Sequence, residues 1–243
     1  MLLAALWAVV GWLAGGILGV LAVALPASRV RTTAGGRCAK CGAPVGLAAL
    51  VLAPGPGAGR CPVCQTRLRE AWPLVEAATG ASFAALAWRF GWGWPLAAYT
   101  AFAALLALVA FIDLRHRLIL DVLTFPAICL ALLLAHFTIG LPRALLGGLA
   151  AGGIYLMLYL LAWLLYRHGG ALGLGDVKLA LLIGLVVGAP AALGAAVYGA
   201  IVGAVMALAL LAAGRSRTYA MPYGPSLVLG ALAAILADPT VWR

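Results

Sequence analysis

Acidic residues are almost missing from this chain: there are six in 243 positions, against 16 Lys and Arg. Charge of either sign is scarce, at 9% of residues, while 66% are hydrophobic and the mean hydropathy is +1.13. A soluble domain of this length has no use for so much apolar surface, so the shortage of charge excludes that class. The fold class it leaves is an all-α polytopic membrane protein. A basic n-region is also absent ahead of Leu2–Leu25. That run is about the length needed to span, so it reads as a first transmembrane helix and not as a removable signal peptide.

What is abundant fits the same picture. The 31 glycines and many alanines let helix backbones approach closely in lipid. About eight spans are expected, at 2–25, 72–90, 95–112, 122–140, 143–166, 177–189, 191–213 and 224–241. The net charge of +10 does not indicate nucleic acid, because the basic residues are sorted by loop. With the amino terminus outside, the inside loops hold 13 of the 16 basic residues, and only Arg89, Arg143 and Arg243 fall outside. The positive-inside rule therefore sets the orientation.

Hydrophobicity breaks most deeply over 28–71, which divides the chain into a first helix (1–27), an insert (28–71) and a membrane core (72–243). The insert lacks large apolar residues, so a segment this small needs a metal or disulfides to fold. It carries Cys38-Ala39-Lys40-Cys41 and Cys61-Pro62-Val63-Cys64, a spacing that matches a zinc ribbon. Cys38, Cys41, Cys61 and Cys64 would complete a closed, structural Zn2+ site. Disulfides are disfavoured by the reducing cytoplasm in which the charge rule places the loop, and thiol redox chemistry is the remaining alternative. The basic charge of the insert retains it inside, or contacts anionic membrane lipid or an acidic partner. Cys129, alone in an apolar helix, reads as a small buried hydrophobe.

With so few acids, the placement of two of them is informative. Asp113 closes the apolar run Leu105–Ile112, and Asp176 follows Gly173-Leu174-Gly175 and opens another apolar run. Ionisable groups at the edges of spanning segments are functional-site candidates. Two carboxylates on one membrane face suggest one acid and one base around a water. Each has a plainer reading. Asp113 could pair with Arg115 or Arg117, and Asp176 could cap a helix. Asp121 reads as the N-cap of the next helix and His116 as a loop residue. Lys178 could tune Asp176, hold lipid phosphate or snorkel. Gly173 and Gly175 permit backbone geometries closed to other residues and the approach of another backbone.

Taken in order, these segments carry a resemblance. Gly173-Leu174-Gly175-Asp176-Val177-Lys178-Leu179 fits a GxGD motif and its continuation. Ile112-Asp113 with His116, then Asp121 before Leu123-Thr124-Phe125-Pro126, fits the other aspartate segment, 63 residues upstream. Trp72-Pro73-Leu74-Val75-Glu76 and Met221-Pro222-Tyr223-Gly224-Pro225 add two more. The chain resembles the type IV prepilin peptidases, which are GxGD membrane aspartyl proteases. The resemblance implies a multi-pass enzyme of the bacterial cytoplasmic (inner) membrane that removes the basic leader of prepilins or pseudopilins at the cytoplasmic face. It implies Asp113 and Asp176 as catalytic residues, with Gly173, Gly175, Lys178 and Asp121 in support. Many members then N-methylate the new amino terminus with S-adenosylmethionine.

The departures are local. Leu120 stands where the family has Pro. Gly19 and Ala24 replace an Asn and an Arg of the first helix, and the linker between the cysteine pairs is short, with no Asp or Glu from Arg29 to Arg69. These gaps lie in the region associated with methylation, so peptidase activity is expected with little or no methyltransferase activity. Two rival classes stay open on sequence grounds: a proton-coupled transporter, and a non-catalytic zinc-bearing membrane scaffold.

Overall fold

In hydrocarbon, apolar side chains gain little by meeting one another, so helix pairing depends on how closely backbones can approach. The computed structural model describes residues 1–28, 38, 40–44, 61, 63–65, 72–165, 172–216 and 221–241. Among these residues there are eight α-helices and no β-strand. They are α1 (Leu2–Ala24), α2 (Trp72–Phe90), α3 (Trp94–His116), α4 (Asp121–Ala135), α5 (Leu141–Leu165), α6 (Leu174–Val187), α7 (Ala191–Ala212) and α8 (Gly224–Ala237). Four of them, α1, α3, α5 and α7, are long and apolar enough to cross a membrane, and α4 and α8 are apolar but shorter. The chain is a multi-pass membrane protein. It divides into two compact units, Met1–Ile112 and Asp113–Arg243, with the boundary inside α3.

In the first unit, α1 and α2 run antiparallel on glycine contacts. A Cβ on Gly11 would lie 2.8 Å from the Thr79 carbonyl, and one on Gly15 would lie 2.7 Å from Glu76 Cα. The α2–α3 turn is aromatic. Trp88, Trp92 and Trp94 are exposed there, as rings at a membrane–water interface are. Trp7 meets Trp92 edge to face at 5.7 Å and donates its indole N–H to Thr100 Oγ1 at 3.1 Å.

The second unit holds two antiparallel hairpins. Gly147 and Gly184 bring α5 and α6 backbone to backbone, while Gly148 lies on Leu185 and Gly152 on Leu181. That register places Tyr155 opposite the start of α6. Gly199, Gly203 and Gly230 do the same for α7 and α8, with Gly203 under the ring of Tyr223. Outward faces such as Leu146, Leu149 and Leu160 of α5 are exposed, as lipid-facing residues should be.

Several boundaries differ from the hydropathy reading. α3 runs a turn beyond 112, to His116, so His116 is helical and not in a loop. α4 stops at Ala135 instead of 140. Gly140, with φ at +85°, and the Thr138 hydroxyl on the Leu134 carbonyl make the turn there, although Phe137 and Ile139 keep the hydropathy high. α6 covers 174–187, not 177–189, and ends at Gly188, whose φ of +70° is open to glycine. α8 ends at Ala237, not 241. Cys129 is exposed and not buried, because the inward face of α4 is made by Thr124, Ala127, Ala131 and Ala135. The insert arginines used in the orientation argument (Arg29, Arg31, Arg37, Arg60, Arg67 and Arg69), with Arg167 and Arg217, lie outside the described residues.

Candidate active site

Asp113 sits in the last turn of α3 and is 5% exposed. Its carbonyl accepts the Arg117 N–H at 2.8 Å, and Arg117, at φ +54°, ends the helix in the left-handed region. The side chain turns to the start of α8, where Oδ2 accepts the Gly224 N–H at 2.8 Å. Helix starts leave their first N–H groups without intrahelical partners and carry a partial positive charge. A buried carboxylate is a natural acceptor for both.

Asp176 repeats the arrangement in α6. It is the third residue of that helix and not its N-cap, which is Gly173. Its Oδ2 accepts the Gly173 N–H at 2.9 Å, and it is 9% exposed. Gly173 has φ −99°, which any residue can adopt, so its conformational freedom is not used. Gly175 is needed for proximity, since a Cβ there would lie 2.9 Å from Ile119 Cβ. The helices whose starts hold the two carboxylates, α6 and α8, pack against one another.

Lys178 points to neither aspartate of this pair. Its Nζ is 2.7 Å from Asp121 Oδ1 and 5.0 Å from the centre of the Phe125 ring, joining the start of α4 to that of α6. Asp121 is the first residue of α4 and not its N-cap. Leu120, in extended conformation, precedes the helix, and its carbonyl accepts the Thr124 N–H at 3.1 Å. At 32% and 57% exposure, such a pair contributes about 0.2–1 kcal/mol.

Sequence reasoning missed Tyr155. It is 2% exposed, its hydroxyl is 3.4 Å from that of Tyr223, and it stands on α5 level with the start of α6. The signal was present in the stripe Gly147, Gly148, Ala151, Gly152 and Tyr155, which repeats at helical spacing on the buried face of α5.

The first unit holds a separate cluster. The Sγ atoms of Cys38, Cys41, Cys61 and Cys64 all lie within 4.8 Å of one another. The Cys38–Cys64 and Cys41–Cys61 separations are both 3.5 Å, near the ~3.8 Å edge of a tetrahedron with metal–sulfur bonds of about 2.3 Å. The two knuckles are alike. The Gly42 N–H donates to the Cys38 carbonyl at 2.8 Å, and the Gln65 N–H to the Cys61 carbonyl at 3.0 Å. Gly42 and Gln65 both have positive φ, at +70° and +56°. The Cys64 and Val63 amides hold the Cys61 thiol below its ordinary value. The Ala43 amide lowers Cys41, but desolvation and the other three thiols push it up to about 12. Four thiols this close cannot all ionise without a cation among them, and all four cysteines are free of disulfides. The cluster can hold a metal ion.

Comparison with known proteins matches two long stretches of the chain to one family. The type IV leader peptidase family model matches residues 100–208, and the bacterial peptidase A24 N-terminal domain model matches 9–90. A prepilin leader peptidase/N-methyltransferase from Neisseria gonorrhoeae is 30% identical over 189 residues, covering 76% of this chain and 64% of the relative. One of the same name from Xanthomonas campestris pv. campestris is 36% identical over 163 residues, covering 65% and 56%. A type 4 prepilin-like proteins leader peptide-processing enzyme from Escherichia coli O78:H11 is 32% identical over 184 residues, covering 73% and 65%. The chain thus spans 56–65% of the length of these relatives. No solved structure matches it. Two family models follow one another along the chain, the second running over Asp113 and Asp176, and the chain belongs to the type IV leader peptidase family.

Proposed function

We propose that this protein is an aspartyl endopeptidase that removes the basic leader of type IV prepilins or pseudopilins at the cytoplasmic face of the bacterial inner membrane. The observation that carries the reading is the pair of buried carboxylates, Asp113 and Asp176, each held through Oδ2 by a glycine N–H at a helix start. A structural acid would not need a second one beside it at the same burial. Two carboxylates acting at one site hold one proton between them. The ionised member takes a proton from water, whose oxygen then attacks the scissile carbonyl. The protonated member polarises that carbonyl and later gives its proton to the leaving amine, which returns the pair to a single shared proton.

The amino terminus lies outside and the cysteine insert inside, as the distribution of Lys and Arg supports. The metal held by Cys38, Cys41, Cys61 and Cys64 is Zn2+. Four protein ligands leave it no open position, so it organises the insert and takes no part in cleavage. For S-adenosylmethionine the described residues offer little. Gly19 brings no side chain, and Glu76 is buried in the α1–α2 contact, so no step of the reaction is assigned to that cofactor.

The test is incubation of the purified chain with a prepilin, followed by measurement of leader loss. Asp113→Ala and Asp176→Ala should each abolish cleavage while still inserting in the membrane. Near-normal cleavage by either variant would sink the mechanism. A chain that binds prepilin without shortening it would favour the scaffold reading, and proton-coupled solute uptake without cleavage would favour the transporter.

A further inference from the structure

Two aspartates can share a proton productively only if their spacing is fixed, and each is carried by a different helix. Asp113 is held at Gly224, the first residue of α8. The residue before it, Tyr223, is fixed on three sides. Its ring covers Gly203 of α7, where a Cβ would lie 2.6 Å from Cε2. Its carbonyl accepts the Ser226 hydroxyl at 2.6 Å. Its own hydroxyl meets that of Tyr155 at 3.4 Å, with ring centres 6.1 Å apart and planes at 49°. Tyr155 in turn stands on α5, at the level where the glycine register brings the start of α6 and with it Asp176. The chain of contacts therefore runs from Asp113 through Gly224 and Tyr223 to Tyr155, which stands level with the helix start that carries Asp176.

We propose that the Tyr155–Tyr223 hydroxyl pair is a positioning device that fixes the spacing and proton sharing of Asp113 and Asp176. In this role the pair acts through the two carboxylates and not on the substrate. A buried hydroxyl needs a polar partner, and the half-buried Tyr223 supplies one to the buried Tyr155. If packing alone mattered, phenylalanine would serve at both positions, since it keeps the ring on Gly203 and the ring–ring contact. The hydroxyls are the part that packing leaves unexplained.

This inference rests on the aspartyl peptidase reading, and its test keeps the two apart. Tyr155→Phe, Tyr223→Phe and the double variant are assayed for leader removal across pH, beside Asp113→Asn and Asp176→Asn. Each single Phe variant should lose about tenfold in kcat with KM little changed, and should shift a limb of the pH–rate profile. The double variant should be no worse than either single one, as expected for groups that act as a unit. Unchanged kcat and pH profile in both single variants would overturn the proposal, as would losses that simply multiply. Cleavage by the Asn variants would instead remove the aspartyl reading. Should a Phe variant fail to fold, 3-fluorotyrosine at position 155 keeps size and hydroxyl and makes the phenol more acidic. The pH–rate limb should then move, and an unmoved limb counts against the pair.

Discussion

The Gly224 N–H lies 2.8 Å from Asp113 Oδ2, and the glycine has no room for a side chain, because a Cβ would fall 2.8 Å from the same oxygen. Gly224→Ala should therefore displace the Asp113 carboxylate from the start of α8. Leader removal should fall by about tenfold or more, with membrane insertion and thermal unfolding nearly unchanged. A cleavage assay on detergent-purified variant checks it, and wild-type turnover would show that Asp113 does not depend on this contact.

The cysteine cluster should carry about one zinc per chain by elemental analysis. Cys38→Ser or Cys61→Ser should lose the metal and the folded insert together, since metal binding and folding are one event in core-poor segments. Metal-free protein with an intact insert would contradict this.

Gln65 occupies in the second knuckle the place that Gly42 holds in the first, at φ +56°. A side chain there costs about 1–2 kcal/mol, partly offset by the greater freedom of glycine in the unfolded chain. Gln65→Gly should hold zinc about threefold more tightly, ~0.6 kcal/mol by the same two principles. Competition with a chelator measures it, and weaker retention would count against the left-handed assignment.

Lys178→Ala and Asp121→Ala should each cost at most about 1 kcal/mol, as exposed pairs do, and should leave cleavage within about threefold of wild type. Complete loss in either variant would mean that the pair belongs to the catalytic machinery.

Methylation should be weak or missing. Mass spectrometry of a processed pilin after incubation with S-adenosylmethionine should show little added methyl. Stoichiometric addition of one methyl group to the new amino terminus would overturn this expectation.

Much of the fold could be read in the sequence because lipid imposes long apolar runs, and the acids interrupt them visibly. Asp113, Asp176 and the four cysteines stood out as rare residue types in regular spacing. The helix ends were less legible. Hydropathy cannot register the turn after Ala135, where Phe137 and Ile139 are as apolar as a helix interior, and the extended Leu120 moved the start of α4 onto Asp121. Tyr155 was hidden for a different reason. Its meaning depends on the antiparallel register of α5 against α6, set by Gly147 on Gly184, and no single segment contains that information.

That register also sets a demand on any substrate. From Tyr155, level with the start of α6, to Leu165 at the end of α5 is ~15 Å of helix at 1.5 Å per residue. Its outward residues Leu158, Leu161, Trp163 and Leu164 are exposed and apolar. Asp176 thus lies well below the rim of the wall that α5 forms on one side. A peptide descending beside that wall needs about five residues in extended form to cover the distance. Those residues must give up helical hydrogen bonds to reach Asp176. Susceptibility to cleavage should therefore follow how easily the substrate unwinds just ahead of its hydrophobic segment, as well as the identity of the residues at the cut.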